Sequence, residues 1–413
     1  MKRNSIQKSS GLHMHEPGIL VLADAWLPHA GGSRVYYNNL YQQLADHGHA
    51  VTVLTTKVKR AAEFDRVWNG SYRIVRRFEP TGSWKYYQVS NVIGPLLQTL
   101  SAVLRLRPQM LHACDIYPQG VVALLLKTIM GIPYIAFSHG EEITQMDRHR
   151  GERMLRNAVY RHASAIVAAS EYAVAQLIRI GIPRDRITKI NPGVNCARFS
   201  PGAPSPAVMT MYGLEGRRVL LTVARLVPRK GHASVLKAVA RILPDMPDLR
   251  YVIAGTGPEE SNLRRLVSEL GIESAVRFAG YVEDDLLPDL YRAADVFVMP
   301  NSENEGDVEG FGMVFLEANA ASKPVIAGRS GGTAESVEED VTGFRIVPDD
   351  VDGLASLIGQ LIADVDLRTR MGHAGLIRAR RQFDWGPAGE RFRHLCSRFV
   401  GLHSSARKQS QVQ

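Results

Sequence analysis

Residues 218–243 read RVLLTVARLVPRKGHASVLKAVARIL and join an apolar strand to a helix through a basic turn. The strand part, residues 218–225, is rich in apolar side chains, as expected for a buried strand of a parallel sheet. In the helical part, residues 233–243, apolar side chains recur at helical spacing. A strand followed in this way by a helix is the repeating unit of parallel α/β sheets.

The same alternation of short apolar strands and helical stretches continues along the whole chain. In the first half, the predicted strands are residues 18–23, 50–56, 72–78, 110–114, 134–139, 165–170 and 187–193. In the second half, they are residues 218–225, 250–257, 276–282, 296–300, 324–328 and 343–347. The predicted fold class is therefore α/β, with two Rossmann-like, doubly wound domains whose strand ends face a shared cleft, where such sheets bind ligands.

At 413 residues the chain is long enough for two domains with separate cores. A segment rich in Pro, Gly and Ser, residues 200–218, predicts the hinge between them. The predicted divisions are a flexible N-terminus over 1–16, domains over 17–200 and 201–385, a C-terminal helix over 386–404 that packs toward the first domain, and a disordered tail over 405–413.

The net charge of +9 is concentrated in the first half of the chain. Residues 1–200 carry 25 Lys and Arg against 13 Asp and Glu, a balance of +12, whereas residues 201–413 carry 25 against 28, a balance of −3. A basic half suits an anionic partner such as a membrane surface or a phosphorylated acceptor, and a solvated basic face without a partner fits the same count. Nucleic acid is not an expected partner, because no recognition module accompanies the charge.

The cysteines and the apolar runs predict a cytoplasmic protein. Cys114, Cys196 and Cys396 are widely separated and form neither a disulfide framework nor a metal-ligand pattern, as expected in a reducing compartment. The apolar run over residues 120–137 is interrupted by a lysine, a glycine and a proline, which favours a helix, a turn and a strand over a membrane span. The apolar stretch near the N-terminus is too short for a signal peptide and contains an aspartate, so export is not expected.

Residues 90–108 combine an apolar face with Arg105 and Arg107, and aromatic and basic residues at 84–87 precede them. Such a helix can rest on a membrane interface and admit a lipid-linked acceptor. A helix of the same pattern can instead pack against its own sheet. The sequence leaves both alternatives open.

Arg225, Arg229 and Lys230 lie in the basic turn of the opening stretch, between the strand and the helix. Cations gathered at the start of a helix, together with its free N–H groups, suit a phosphate group. A solvated turn would explain the same three residues.

Residues 309–318, EGFGMVFLEA, place two glutamates eight positions apart. Gly310 and Gly312 predict that Glu309 lies in a loop and that a helix begins near Gly312, with Glu317 one to two turns inside it. Carboxylates accept hydrogen bonds from hydroxyl groups, so the pair suggests a polyol ligand such as a sugar or a ribose. The alternative is that Glu309 favours the helix start electrostatically and Glu317 forms an ordinary ion pair.

Four further segments lie at or just after the ends of predicted strands. Gly31 and Gly32 introduce a helix, as does RSGGTAES over residues 329–336, and backbone N–H groups at such a turn can bind an anion. The glycine pair of RSGGTAES is also explained by the backbone geometry that many strand-to-helix turns need. His139 lies just beyond a strand, at the edge of the sheet where ligands bind, and this position favours a functional role. A single histidine is, however, often structural. Gly255 opens GTGPEE, which lacks the third glycine of a dinucleotide fingerprint, so no nicotinamide site is predicted.

Taken together, these motifs resemble the retaining glycosyltransferases of family 4, which have the GT-B fold. They are, in order, the glycine pair after the first strand, SHG, NPGVNCARFSP, ARLVPRKG, the two glutamates and SGGTAES. The resemblance covers nearly the whole chain, and the second half is similar to bacterial phosphatidylinositol mannosyltransferases in particular. Asn195 departs from the aspartate that the family commonly has in the NPGVN motif.

The resemblance implies catalytic roles for Glu309, His139, Arg225 and Lys230. Arg225 and Lys230 match the basic pair that holds the donor diphosphate. Glu309 matches the glutamate near the donor sugar, and His139 matches a histidine near the transferred sugar. Gly31 and Gly32, with His139, match the acceptor side of the cleft.

Further donor-binding residues are implied by the same resemblance. They are Gly310, Phe311, Gly312 and Met313 beside the sugar, Glu317 at the ribose hydroxyls, Tyr281 and Val282 at the nucleotide base, and Gly255. The second domain would thus bind the donor and the first domain the acceptor.

The expected activity is transfer of a hexose, mannose or glucose, from a nucleotide-diphosphate sugar to a hydroxyl group of a lipid-linked or saccharide acceptor in cell-envelope biosynthesis. No metal or other cofactor is expected, because Arg225 and Lys230 supply the charge of a divalent ion. The location is cytoplasmic, with the inner face of an anionic membrane as a further site. Two alternatives stay open: a nucleotide-sugar epimerase of the same architecture and a non-catalytic nucleotide-sugar binding protein.

Overall fold

The computed structural model describes residues 18–28, 31–58, 61–79, 90–147 and 149–409. It contains two parallel β-sheets covered by helices. The strands are β1 Ile19–Ala23, β2 Val51–Thr56, β3 Arg73–Phe78, β4 Met110–Ala113, β5 Tyr134–Ser138, β6 Ala165–Ala168, β7 Ile187–Lys189, β8 Arg218–Val223, β9 Leu249–Ala254, β10 Val276–Gly280, β11 Val296–Met299, β12 Val325–Gly328 and β13 Gly343–Ile346.

Helices follow most of the strands. They are α1 Gly32–Asp46, α2 Ala61–Val67, α3 Ser90–Leu106, α4 Val121–Met130, α5 Glu141–Gln145, α6 Arg150–His162, α7 Glu171–Arg179, α8 Pro206–Tyr212, α9 His232–Ile242, α10 Glu260–Glu269, α11 Leu287–Ala293, α12 Met313–Ala320, α13 Thr333–Ser336, α14 Val351–Ala363, α15 Val365–Gln382 and α16 Trp385–Gln409. Short helical turns occupy Ile116–Gly120, Arg184–Arg186 and Pro228–Lys230.

Both sheets are doubly wound. The seven-stranded sheet has the order β3-β2-β1-β4-β5-β6-β7, and the six-stranded sheet has the order β10-β9-β8-β11-β12-β13. In each sheet the chain starts at an inner strand, moves to one edge and then crosses to build the other side, which is the Rossmann-like topology. The predicted fold class and all of the predicted strands are confirmed. The largest difference is at β7, which ends at Lys189 instead of residue 193, before the Asn-Pro-Gly sequence.

The inner strands of the six-stranded sheet, β8, β9, β11 and β12, are buried on both faces. In β8, Val219 and Leu221 pack into one apolar cluster and Leu220 packs into another. Successive side chains of a strand point to opposite faces, so each face of the sheet is covered by its own layer of helices. The predicted hinge segment, residues 200–218, contains α8 and contributes Val208 and Leu214 to the first of these clusters.

The chain divides into two compact units. One comprises residues 1–29, 41–135 and 393–413, and the other comprises residues 30–40 and 136–392. The domain boundary predicted near residue 200 stays a prediction.

The C-terminal helix is longer than predicted. Helix α16 runs from Trp385 to Gln409, so residues 405–409, expected in a disordered tail, are helical, and residues 410–413 lie outside the described residues. In the unit that contains β1, Cys396 of this helix is buried with its Sγ atom 4.0 Å from Nε2 of His112. Residues 1–16 and 84–87, for which a flexible segment and an interfacial segment were predicted, also lie outside the described residues.

Candidate active site

The basic turn after β8 directs two of its three cations into the protein. Arg229 and Lys230 are only 6% and 9% exposed, whereas Arg225 is exposed. Gly231, at the start of α9, has a φ of +74°, and a Cβ atom there would lie 2.4 Å from the backbone oxygen of Pro300. A glycine is therefore needed where the turn packs against the end of β11. The solvated-turn alternative does not describe Arg229 and Lys230.

Glu309 is the common partner of the two buried cations. Nη1 of Arg229 donates to Oε2 of Glu309 over 3.0 Å, and Nζ of Lys230 donates to the same oxygen. Burial alone would raise the pKa of Glu309, but Lys230 and Arg229 together lower it below its ordinary value. Burial lowers the pKa of Lys230, against the opposing effect of Glu309. The carboxyl group of Glu309 is therefore held ionised inside the site.

Two further carboxyl groups complete a charged cluster around Arg229. Its Nε atom lies 2.9 Å from Oδ1 of Asp307. Glu141, the first residue of α5, faces the same group: burial raises its pKa to about 7, Arg229 lowers it, and Asp307 and Glu309 are among the carboxylates that raise it. A carboxyl group with a pKa near neutrality in such a cluster is a candidate for a functional role. Neither Glu141 nor Asp307 was predicted from the sequence.

The segment after Glu309 has the predicted loop-to-helix form. Glu309 lies in the loop before α12, which begins at Met313. Gly312, the residue before the helix, has a φ of +85°. The glycines of RSGGTAES have a packing role, and anion binding by the other N–H groups of this turn stays a prediction. The N–H of Gly332 donates to the backbone oxygen of Glu309 over 2.8 Å and is not free for an anion. Cβ atoms at Gly331 and Gly332 would lie 2.1 Å from the backbone oxygens of Glu309 and Gly310, so these glycines allow the two loops to pack closely.

His139 and the first glycine turn meet this loop within the same compact unit. Nε2 of His139 lies 2.8 Å from Oη of Tyr37, and burial lowers the pKa of the imidazole, which is therefore neutral near pH 7. A Cβ atom at Gly310 would lie 3.0 Å from the backbone oxygen of His139, and one at Gly32 would lie 3.5 Å from the terminal methyl group of Met313. The predicted residues of these three segments are thus neighbours.

Glu317 lies inside α12 as predicted, but with the described residues it does not form the ordinary ion pair of the alternative interpretation. Oη of Tyr291 donates to its Oε2 atom over 2.6 Å. Burial raises the pKa of Glu317, Tyr291 and Arg198 lower it, and Asp284 raises it. The side chain is half-buried, so a ligand can reach it.

The remaining predicted donor residues lie after β9, β10 and β11. Tyr281 is 58% exposed, Val282 packs against the core of the six-stranded sheet, and Phe311 is buried. A Cβ atom at Gly255 would lie 1.9 Å from the backbone oxygen of Ala224, so the glycine permits close contact of two strand ends. The ligand roles of these residues stay predictions.

The chain matches two families of known proteins, one in each half. Residues 30–198 match the family described as Glycosyltransferase Family 4, and residues 212–377 match the family described as Glycosyl transferases group 1. The GDP-mannose-dependent alpha-(1-6)-phosphatidylinositol monomannoside mannosyltransferase of Mycolicibacterium smegmatis is 31% identical over 389 residues, covering 92% of this chain and 98% of the relative. The D-inositol 3-phosphate glycosyltransferase of Thermobispora bispora is 29% identical over 392 residues, covering 88% of each.

Solved structures share the fold. HepE of Anabaena, in complex with UDP and glucose, superposes with a TM-score of 0.77 at 21% identity, over 92% of this chain and 99% of that one. Sucrose-phosphate synthase of Thermosynechococcus elongatus superposes with a TM-score of 0.80 at 22% identity, over 94% of this chain and all of that one. Fold and site together define a GT-B glycosyltransferase that uses a nucleotide-sugar donor. The chain belongs to glycosyltransferase family 4, whose reaction retains the anomeric configuration.

Proposed function

We propose that the protein transfers mannose from GDP-mannose to a hydroxyl group of a lipid-linked acceptor at an anionic membrane surface. The main structural support is the buried cluster in which Arg229 and Lys230 hold Glu309 ionised. Glu317, eight residues further along the chain, is half-buried. Several relatives of about 30% identity are GDP-mannose-dependent mannosyltransferases, which favours this donor. The HepE complex with UDP and glucose keeps a uridine sugar as the second candidate donor.

In the proposed reaction, negative charge grows on the leaving diphosphate while the sugar becomes oxocarbenium-like. Lys230 would stabilise that charge more strongly in the transition state than in the ground state, because it is buried and held by Glu309 before the reaction begins, and the exposed Arg225 would add a second positive charge. Glu309 would accept hydrogen bonds from the sugar hydroxyls and orient the sugar. The acceptor would attack from the face of the leaving group and give its proton to the leaving phosphate oxygen. A glycosyl adduct trapped on Glu309 would refute this scheme.

The acceptor proposal rests on an exposed surface of the first unit, formed by α3 and α4, which pack against each other. Ile93, Leu97 and Leu104 lie on one face of α3 and are more than half exposed, and Ile129 of α4 is 72% exposed. We call the three residues of α3 the apolar face. Arg105 is exposed beside it, and residues 1–200 carry the +12 balance, which suits an anionic bilayer. In the described part of the chain, no helix has the length and apolar character needed to cross a membrane.

Incubation of the purified protein with radiolabelled GDP-mannose and anionic liposomes containing extracted bacterial lipids tests the proposal. We expect labelled mannose in the lipid fraction, in an α-linkage as in the donor. The same reaction with UDP-glucose and with soluble saccharides tests the other donor and acceptor classes. Donor conversion without any acceptor would indicate an epimerase instead, and binding without turnover would contradict an enzymatic role.

A further inference from the structure

We propose that Tyr291 is a positioning residue that holds Glu317 for recognition of the donor's ribose, and so controls how strongly the protein prefers a ribonucleotide to a deoxyribonucleotide. This inference rests on the proposed function together with the role that the family resemblance implies for Glu317, which is to bind the ribose hydroxyls of the donor. It concerns a residue of α11 that does not itself contact the donor in the proposal.

The hydroxyl group of Tyr291 is aimed at Glu317 by a rigid surrounding. The side chain is fully buried. Its ring stacks on Phe297, with centroids 5.7 Å apart, and meets the edge of Phe199 with centroids 5.5 Å apart. A ring clamped in this way has one orientation, so the direction of its O–H donor is set by the core and not by the ligand.

The 2.6 Å hydrogen bond from Tyr291 uses one oxygen of Glu317. Among the described residues, no other side chain donates to this carboxyl group, so its second oxygen keeps its acceptor capacity for a ligand. Because the carboxyl group is half-buried on α12, fixing one oxygen also fixes where the other one points. The arrangement is suited to accepting hydrogen bonds from two adjacent hydroxyl groups.

The charge of Glu317 also depends on Tyr291. Burial raises the pKa of this carboxyl group, and the hydrogen bond from Tyr291 opposes that effect, as does the charge of Arg198. Asp284 acts in the opposite direction. Hydrogen bonds to an ionised carboxylate are roughly twice as strong as those to a neutral group. Removing the hydroxyl of Tyr291 therefore weakens ribose binding through both orientation and charge.

The substitution Tyr291→Phe removes one oxygen atom and keeps the ring. Titration calorimetry with GDP and with 2′,3′-dideoxy-GDP measures the preference for ribose, and UDP with its dideoxy form covers a uridine donor. For the wild type we expect the ribonucleotide to bind more tightly. For Tyr291→Phe we expect the Kd of the ribonucleotide to rise about tenfold, while the Kd of the dideoxynucleotide stays within about twofold of the wild-type value. In a Glu317→Gln background, Tyr291→Phe should change neither Kd further.

Tyr251→Phe is the matched control. Tyr251 is also fully buried, on β9, and its Oη lies 2.9 Å from Oγ1 of Thr222. Its substitution removes an equivalent buried hydroxyl and should leave the ribose preference unchanged. A Tyr291→Phe protein with the wild-type preference, or one that loses equal affinity for both nucleotides, would overturn the inference. Failure of the wild type to bind either ribonucleotide, or an undiminished preference in Glu317→Gln, would instead overturn the proposed function.

Discussion

Arg229 and Lys230 are adjacent in sequence and share one acceptor, the Oε2 atom of Glu309, which Arg229 contacts over 3.0 Å. Arg229 is also paired with Asp307, whereas in the described part of the chain Glu309 is the one carboxylate partner of Lys230, so the remaining N–H donors of Lys230 can bind a second anion. A donor diphosphate can then engage Lys230 while Arg229 keeps Glu309 ionised. The two cations would therefore have different roles, one toward the leaving group and one toward Glu309.

Lys230→Ala tests the first of these roles. Because Lys230 would stabilise charge that develops only as the diphosphate leaves, we expect kcat to fall by about 100-fold or more, with a much smaller change in the donor KM. Glu309 keeps Arg229 as a partner, so the variant should fold. Steady-state kinetics with Lys237→Ala, an exposed lysine of α9, provides the control. Wild-type turnover by Lys230→Ala would contradict the assignment.

Arg229→Met tests the second role through the pH profile. Lys230 and Arg229 lower the pKa of Glu309, so losing Arg229 should raise it. If activity needs ionised Glu309, it is lost as pH falls through that pKa, and the acid limb of kcat should therefore move to higher pH. Arg229→Lys keeps a positive charge, so its kcat should fall at nearly the same acidic pH as that of the wild type. An unchanged profile in Arg229→Met would indicate that the arginine is only structural.

The strands, and the loop before α12, could be predicted from the sequence because local patterns determine them. Runs of apolar residues mark strands that are buried on both faces, and the glycines at 310 and 312 prevent the helix from starting earlier. That one ligand reaches both Glu309 and Glu317 stays a prediction.

Other features depend on contacts between distant segments and leave little local signal. Glu141 is 168 positions from Glu309, and nothing in SHGEEI indicates that it faces Arg229. Tyr291 reads as an ordinary apolar position of a short helix. In RSGGTAES, the sequence does not show that the loop of Glu309 packs on the two glycines. Arg229 stood in the predicted basic turn, but the direction of its side chain was not predictable.

Glu141→Gln should change how stability depends on pH. Burial raises the pKa of Glu141 from 4.5 to about 7, so between these values the native state binds a proton that the unfolded state has released. The contribution of Glu141 to stability is therefore present at low pH and lost as pH rises through about 7. Glutamine cannot titrate, so the Tm of Glu141→Gln relative to the wild type should increase over this range. Thermal unfolding across about pH 5 to 8 measures this difference in Tm, and Glu63→Gln, at an exposed position, is the control. A constant difference in Tm would contradict the shifted pKa.

Gly332→Ala should disturb the loop that carries Glu309. The added Cβ would lie 2.1 Å from the backbone oxygen of Gly310, and backbone cannot yield as a flexible side chain does. We expect a loss of about 1 to 3 kcal/mol in the free energy of unfolding and a lower kcat/KM. Gly359→Ala, in the middle of α14 with its nearest neighbouring atom 4.0 Å away, should instead stabilise the protein by about 0.5 to 1 kcal/mol. Denaturant unfolding that shows equal effects for both variants would exclude the packing explanation.

Leu97→Glu combined with Leu104→Glu tests the apolar face as a membrane-binding surface. These side chains are 61% and 63% exposed, so the substitutions should leave the fold intact while placing two negative charges against an anionic bilayer. We expect flotation with anionic liposomes at low salt to fall at least about tenfold, and wild-type binding to weaken as salt is raised, because exposed charges are screened. Val365→Glu, which introduces one charge at a 57% exposed position in the other unit, should float like the wild type. If the wild type does not float at low salt, the membrane proposal is wrong, and the acceptor must be sought among soluble saccharides.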